Sequence, residues 1–464
     1  MPARCPAPGP GAVARPPPCP SLTRHPPVPG PLGPDRPPAP SASPSLRAEA
    51  LRPRRRGRHP FLHRPHRPAL PTPARTRQAV HRPLGRSPVL TVLTGATGFF
   101  GSHLLIRLLQ RPGEVTALVR QDGDAGRRRL EHALRATGEP LPEDLHTRVR
   151  LLRADLTEPL LGLSPERHRE LAGQADVIWH NAAVIDLAAP LEQVMRVNVE
   201  GTRRVLELAS AAPGPLPRVL YTSSSYVAGG RLEGTVLEDD LDDRYGFRTP
   251  YEQSKYAAEQ AVRGWAHDRN HPVTVLRPSV LTTDRALPRN APLHPLAEVG
   301  ARLSLLSRLG PSRLFPGATP DTPAVVEVPG RADAMMNLVP VEYAAEASVH
   351  VALRTPQRLV ETFHLTHPRE TPVSACLDAM RDLCPWLDLR VGPDAPSHTS
   401  EHGTQQLAQL LGGIHPYTRL HRTYDRTALL DALGHALPDP PAPDRNYLVA
   451  VLRSAPSVAA SLTP

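Results

Sequence analysis

The chain contains one lysine, Lys255, which lies four positions after a tyrosine, Tyr251. It has 55 lysine and arginine residues in total, so the other 54 are arginine. A spacing of four places two side chains on one face of a helix, one turn apart. An ammonium is a compact charge with a tunable pKa, whereas a guanidinium is a broad fork that stays charged. We therefore expect Lys255 to bind a ribose and to lower the pKa of the Tyr251 phenol, which would exchange a proton in carbonyl chemistry.

Three consecutive hydroxyl side chains, Ser223, Ser224 and Ser225, follow a short apolar stretch at residues 216–222 that predicts a strand. Ligands of open parallel α/β sheets bind at the C-terminal ends of the strands. One of these hydroxyls is therefore expected to assist Tyr251, although serine clusters also form ordinary turns.

Three glycines, Gly95, Gly98 and Gly101, separate an apolar run at 89–93 from a helical pattern at 103–110. Strand, glycine turn and helix are the context of a dinucleotide-binding fingerprint. Gly95 would allow the tight turn, Gly98 the close approach of a pyrophosphate, and Gly101 the packing of the helix on the strand. The helix N-terminus would present free N–H groups and its positive dipole end to the phosphates.

The residue after the second predicted strand, 114–119, indicates the type of dinucleotide. In NAD-binding chains an acid about 20 residues after the glycines binds the ribose 2′-hydroxyl. Arg120 stands there instead, and the first acid is Asp122. A guanidinium suits a 2′-phosphate, so the sequence predicts NADPH. Asp155, after a third predicted strand at 149–152, is expected either to contact the adenine or to cap a turn.

A fourth predicted strand and its exit, residues 175–183, contain His180 and then small residues that let backbone approach a cofactor. We interpret His180 as structural, because a lone histidine at a strand end is usually so. Asn198, on a predicted helix at 191–211, is expected to bridge the backbone near the site.

The alternation of strands and helices predicts an α/β fold, a Rossmann-type doubly wound parallel sheet with a smaller, mostly helical C-terminal substrate lobe. We expect the cofactor domain to cover residues 87–282, with 336–366 returning to it. Residues 283–335 and 367–464 would form the lobe.

Composition separates an N-terminal tail from this body. Residues 1–88 hold 16 arginines, two acids and 25 of the 59 prolines, which leaves a net charge of −4 for the remainder. We interpret 1–86 as a disordered Pro/Arg-rich tail, and nucleic-acid binding by its arginine run at 52–58 as the weaker alternative, since no aromatics are interleaved within that run to stack bases. The four cysteines show neither metal-ligand nor disulfide spacing, and Cys376 and Cys384 are expected to be buried thiols. No membrane span and no metal are expected, and the location is predicted to be cytoplasmic.

Four stretches together resemble the extended short-chain dehydrogenase/reductase superfamily: 93–101, 154–164, 177–183 and 251–255. The run Leu161-Gly162-Leu163-Ser164 and the spacing from Pro190 to Asn198 resemble more narrowly its thioester reductase branch, which includes male-sterility-type fatty acyl reductases and the reductase domain of carboxylic acid reductases. The resemblance covers about residues 89–370 well, and the last 95 residues only loosely.

The resemblance implies a Ser-Tyr-Lys catalytic set of Ser224, Tyr251 and Lys255, and a 2′-phosphate contact at Arg120. The expected cofactor-binding residues are Gly95, Thr97, Gly98, Phe99, Phe100, Gly101, Arg120, Asp155, Leu156, Asn181, Ala182, Ala183 and Pro278. The implied activity is reduction by NADPH of an acyl group held on coenzyme A or an acyl carrier protein, to aldehyde or alcohol, by a free-standing enzyme. A sugar-nucleotide epimerase or dehydratase, a hydroxy/keto dehydrogenase and a non-catalytic dinucleotide sensor remain as alternatives.

Overall fold

The computed structural model describes residues 89–456 except 188, 312–314, 316, 393–410 and 412–416. The predicted disordered tail, residues 1–86, lies outside the described residues, as do Cys5 and Cys19. The division of the body into a cofactor domain and a substrate lobe stays a prediction.

The described residues form fifteen strands. In chain order these are β1 Leu90–Thr94, β2 Glu114–Val119, β3 Val149–Arg153, β4 Val177–His180, β5 Arg218–Thr222, β6 Glu233–Val236, β7 Val273–Pro278, β8 Val280–Thr282, β9 Ala324–Pro329, β10 Met335–Met336, β11 Leu338–Pro340, β12 Val360–Leu365, β13 Thr371–Pro372, β14 Leu387–Gly392 and β15 His421–Tyr424.

The described residues also form twelve α-helices, a π-helical turn at Arg196–Glu200 and two 3₁₀ turns at Pro159–Gly162 and Ser225–Ala228. The helices are α1 Phe99–Leu109, α2 Gly123–Arg135, α3 Leu145–Arg148, α4 Pro165–Gln174, α5 Leu191–Met195, α6 Gly201–Ser210, α7 Pro250–Arg269, α8 Pro295–Leu309, α9 Val341–Leu353, α10 Val373–Arg381, α11 Thr427–Leu433 and α12 Arg445–Arg453.

Seven strands form one sheet in the order β12-β7-β5-β4-β1-β2-β3, and every neighbouring pair is parallel. The chain moves outward from β1 to β3, then crosses back to β4 on the other side of β1. This reversal makes the gap between β1 and β4 the topological switch point, where ligands bind in doubly wound sheets. The predicted α/β fold class is therefore confirmed.

Both faces of this sheet are covered by helices, which explains why its strands read as short apolar runs rather than as alternating patterns. One core cluster packs α1 and α9 on one face, and another packs α4, α6 and α7 on the other. β12 extends the sheet beyond β7, so residues that are distant in sequence complete it.

Several boundaries differ from the sequence expectation. The helix expected at 161–172 is α4, which begins at Pro165 because the Ser164 hydroxyl caps it by accepting from the Arg167 amide at 3.2 Å. The helix expected at 191–211 is interrupted by the π-turn around Asn198. The stretch after residue 372 was expected to be mostly helical, but it contributes β14, which pairs with β9. A short apolar run does not by itself distinguish a strand from a buried helix, so this pairing was not anticipated.

Cys376 and Cys384 are free, buried thiols, as expected. Burial raises the pKa of Cys376 to about 12, which keeps its sulfur protonated. Within the described part of the chain, no helix has the length and apolar character that crossing a bilayer requires.

Candidate active site

A cleft of about 1770 Å³ opens along the C-terminal ends of the central strands. All predicted site residues except Gly101 line it, namely Gly95, Thr97, Gly98, Phe99, Phe100, Arg120, Asp155, Leu156, Asn181, Ala182, Ala183, Ser224, Tyr251, Lys255 and Pro278. Parallel strands end at the same edge of the sheet, so loops far apart in sequence meet there.

Around the turn between β1 and α1, Gly95 and Gly101 lie where a Cβ would have no room. Gly95 has φ +74°, and a Cβ on it would lie 2.8 Å from the Ala182 amide nitrogen. A Cβ on Gly101 would lie 1.9 Å from the Gly95 carbonyl oxygen. Gly101 does not line the cleft, but it lets α1 pack closely against the glycine turn. Gly98 precedes α1 and has no side chain to cap the first-turn N–H groups. These features form a cradle that fits a pyrophosphate.

Two arginines, Arg120 and Arg129, line the cleft at the end of β2 and on α2. Guanidinium groups commonly bind phosphate through paired hydrogen bonds. Asp155 also lines the cleft, but its Oδ1 accepts from the Thr157 amide at 2.8 Å and from the Thr157 hydroxyl at 2.7 Å. These bonds lower the pKa of Asp155 and make it the cap of its own turn.

Helix α7 positions Tyr251 and Lys255. Pro250 opens the helix, and the Thr249 hydroxyl caps it by accepting from the Glu252 amide at 3.2 Å. The side chains of Tyr251 and Lys255 point toward β5 because this face of the helix is the one buried against the sheet; they are 8% and 2% exposed. The spacing-based expectation of one shared face agrees with this burial.

The ionisation of Tyr251 differs from the expectation. Burial raises the pKa of its phenol to about 12, a hydrogen bond with Ser224 opposes this, and the Glu252 charge adds to it. The expectation that Lys255 lowers this pKa toward neutrality is therefore wrong. The phenol stays protonated at neutral pH and is available as a donor.

The three serines have different surroundings. The Ser223 hydroxyl donates to Glu259 Oε2 at 2.6 Å, whereas the Ser224 side chain bonds to Tyr251 and also accepts from the Tyr226 amide at 3.2 Å. Ser225 is fully buried. Of the three, Ser224 is thus the hydroxyl that the structure brings to the phenol.

The Lys255 ammonium donates to the Thr222 carbonyl at 2.6 Å and lies 4.5 Å from the centroid of the Tyr221 ring. Burial lowers the pKa of Lys255 to about 7, and the Glu259 carboxylate opposes this decrease. The charge of the Lys255 amine at neutral pH therefore depends on burial and on the nearby Glu259 carboxylate.

His180 is structural, as we interpreted it. The Thr94 hydroxyl accepts from the amides of Asn181 and Ala182, both at 3.0 Å, so its one hydrogen must go to His180 Nδ1 at 2.9 Å. Nε2 then carries the ring proton and donates to the Thr202 hydroxyl at 2.9 Å. Burial lowers the pKa of His180 to about 3, so the ring is neutral. Sequence reasoning missed Thr94, which fixes the two amides beside the glycine turn.

Asn198 bridges the backbone, which confirms that expectation. Its Oδ1 accepts from the Val184 amide at 2.8 Å, and its Nδ2 donates to the Val184 carbonyl at 3.0 Å. Nδ2 also reaches the Ser254 hydroxyl at 2.9 Å, which ties the loop after β4 to α7.

The seven-stranded fold, the glycine turn at its switch point and the Tyr251–Lys255 pair define an NAD(P)-binding protein of the extended short-chain dehydrogenase/reductase class. The sequence pattern of the male sterility protein family matches residues 93–348, and the chain belongs to this family. The predicted relationship to the thioester reductase branch is confirmed.

Two relatives and one solved structure illustrate the similarity. A component of the linear gramicidin synthase of Brevibacillus parabrevis is 30% identical over 63% of this chain, and the carboxylic acid reductase of Mycobacterium tuberculosis is 27% identical over 69%. The chain spans only 5% and 30% of these proteins. The terminal reductase domain of the myxalamid biosynthetic pathway is 27% identical, with a TM-score of 0.64, over 80% of this chain and 91% of that domain.

Proposed function

We propose that this chain is an NADPH-dependent reductase that converts an acyl thioester to an aldehyde or alcohol. The observation that carries the proposal is the protonated Tyr251 phenol, bonded to Ser224 and one helical turn from Lys255, in a cleft that begins at a dinucleotide-type glycine turn. Family membership and the similarity to reductase domains support the same activity.

The cleft fits the cofactor along its length. The pyrophosphate would lie against Gly95, Gly98 and the first turn of α1, and the 2′-phosphate against Arg120 with Arg129 nearby. We propose NADPH rather than NADH because of these two arginines. When bound, NADPH supplies the hydride, and Lys255 would hold the ribose next to its nicotinamide.

The chain's own residues would stabilise the thioester oxygen as it gains charge. Tyr251 donates its proton to that oxygen, and Ser224 orients the phenol and offers a second hydroxyl. A raised phenol pKa is compatible with this role, because the form needed for reduction is the protonated one. Loss of the thiol from the resulting hemithioacetal leaves the aldehyde.

The remainder of the cleft wall suits an acyl group. Leu187, Leu281, Leu293 and Met336 line it and are not among the residues assigned to the cofactor. These four apolar side chains match a hydrocarbon chain, whereas the charged groups that line the same cleft, such as Glu192, Arg196, Glu298 and Arg302, would face its polar carrier. The thiol carrier would be coenzyme A or an acyl carrier protein.

The test is NADPH oxidation, followed by absorbance, with a panel of acyl-CoA thioesters and a carrier-bound acyl group, and with NADH in parallel. The proposal expects turnover with NADPH and the appearance of aldehyde or alcohol. Binding of NADPH without turnover of either carrier form would refute the thioester substrate. A preference for NADH would refute the role of Arg120 and favour an epimerase-type activity.

A further inference from the structure

A fully buried carboxylate lies behind the Ser-Tyr-Lys set, on α7 one turn after Lys255. Glu259 is 0% exposed, and its Oε2 accepts from the Ser223 hydroxyl at 2.6 Å and from Arg277 Nε at 3.0 Å. Its Oε1 accepts from Arg277 Nη2 at 2.7 Å and from Arg263 Nε at 2.9 Å. Burial alone would raise the pKa of Glu259, but Arg277 and the other donors bring it to about 2, so the group is ionised at neutral pH.

Arg277 is equally buried, and its other donors bind backbone carbonyls and the His364 ring rather than a second acid. Nη1 donates to the Glu238 carbonyl at 3.2 Å, and Nη2 to the Asp240 carbonyl at 2.7 Å. The desolvation cost of burying an ion pair offsets much of the attraction between its two charges. A gain in stability alone therefore does not explain the buried Glu259–Arg277 pair. Its position, joining α7 to β7 and to the serine cluster after β5, suggests a function at the site.

We propose that Glu259 is a positioning residue of this site that acts on two groups at once. It fixes the Ser223 hydroxyl, and with it the backbone from which Ser224 reaches Tyr251. It also places a negative charge one helical turn from the Lys255 ammonium. The catalytic consequence rests on the proposed reductase function, whereas the effect on the Lys255 charge does not.

The charged and titratable groups around the pair come from five elements. Those that face Lys255 or Glu259 are Tyr256 and Arg263 on α7, His180 on β4, Tyr221 on β5, Arg277 on β7 and His364 on β12. Burial lowers the pKa of both histidines to about 3, so they are neutral. Among these described groups, Glu259 alone brings a negative charge to Lys255 at neutral pH.

The composition of the chain allows a direct test on the lysine itself. Because Lys255 is the only lysine, incorporation of ¹³C-labelled lysine gives one side-chain signal, whose titration by NMR reports this ammonium without cofactor or substrate. The variant is the neutral pair Glu259→Gln with Arg277→Met, which removes the carboxylate without leaving a buried guanidinium unpaired.

The titration midpoint of Lys255 is expected near pH 7 in the wild type, where burial lowers its pKa. In the neutral-pair variant it should fall by about one pH unit, because Glu259, one helical turn away, is the charge that raises the Lys255 pKa, whereas the Arg277 charge removed with it is not among the causes of this shift. A midpoint unchanged from the wild type would overturn the inference.

Arg218→Met is the matched control. Arg218 is another buried arginine, but it donates to the Val351 carbonyl at the end of α9 and to the Thr274 hydroxyl. Its replacement should lower the unfolding midpoint and leave the Lys255 titration unchanged. A shift of the Lys255 midpoint in this control as large as that in the neutral pair would also overturn the inference, because it would be a general effect of destabilisation.

Ser223→Ala tests the second action and remains informative if the neutral pair does not fold. It keeps both charges and removes only the bond to Glu259 Oε2. We expect kcat to fall about tenfold with the KM for NADPH unchanged. Wild-type kcat would overturn the positioning of Ser224. If the wild type itself reduces no thioester, the proposed function fails, and the Lys255 titration still decides the inference.

Discussion

Replacement of Gly101 by alanine tests the packing beneath the glycine turn. The new Cβ would lie 1.9 Å from the Gly95 carbonyl oxygen, and ordinary contact begins at 3.4 Å, so the two must separate by 1.5 Å. Overpacking of this kind costs about 3 kcal/mol. The displaced oxygen also loses its bond from the Gly98 amide, now 3.0 Å, at about 1 kcal/mol. Alanine regains about 1 kcal/mol of helix propensity, which leaves a net destabilisation of about 3 kcal/mol.

Denaturant unfolding measures this change, and NADPH titration followed by protein fluorescence measures its effect on the turn. We expect Kd for NADPH to rise at least about tenfold, because the moved carbonyl belongs to the turn proposed to hold the pyrophosphate. Gly264→Ala is the matched control, since Gly264 lies within α7 with nothing within 4 Å of its would-be Cβ. It should stabilise by about 1 kcal/mol and leave Kd unchanged. If Gly101→Ala behaved like this control, the reasoning about the turn would be wrong.

Three further substitutions test the proposed roles of single side chains. Tyr251→Phe should lower kcat by about 10²–10³ while NADPH binding stays normal, because the ring remains and only the donor is lost; a near-wild-type rate would refute the assignment. Lys255→Arg keeps the positive charge, but the wider guanidinium does not fit the buried space beside the Thr222 carbonyl. Turnover and NADPH affinity should therefore both fall. Retention of both would contradict the proposed role of the Lys255 ammonium. Arg120→Ala should weaken NADPH binding by about ten- to a hundredfold, because the 2′-phosphate would lose a charged hydrogen-bond donor. NADH lacks this phosphate, so its binding should stay unchanged. Equal losses of affinity for the two cofactors would exclude a contact between Arg120 and the 2′-phosphate.

The fold class and much of the site could be predicted because their signals are local. The glycine turn between β1 and α1 spans a few residues whose spacing reflects backbone geometry. The four-residue spacing of Tyr251 and Lys255 follows from the period of one helix. Short apolar runs ending in polar residues indicated the strand ends, and parallel strands bring those ends to one edge.

Other parts of the site depend on partners far apart in the sequence. Thr94 meets His180 across 86 positions, and β12 joins β7 across a similar interval. Arg277 could be recognised as a cation at a strand end, but nothing in the sequence selects Glu259 as its partner from the many acids of the chain. Spacing along the chain did not choose among the three serines; the family resemblance selected Ser224, and the hydrogen bond between Ser224 and the phenol agrees with that choice.

The sequence by itself determined which groups are present and which of them share a helix face or a strand end. Only the tertiary structure decided their charge states. Tyr251 and Lys255 keep their expected positions, yet burial raises the pKa of the phenol and lowers that of the ammonium. The physical reason is that desolvation depends on every element packed around a group, whereas spacing along the chain describes only its own element.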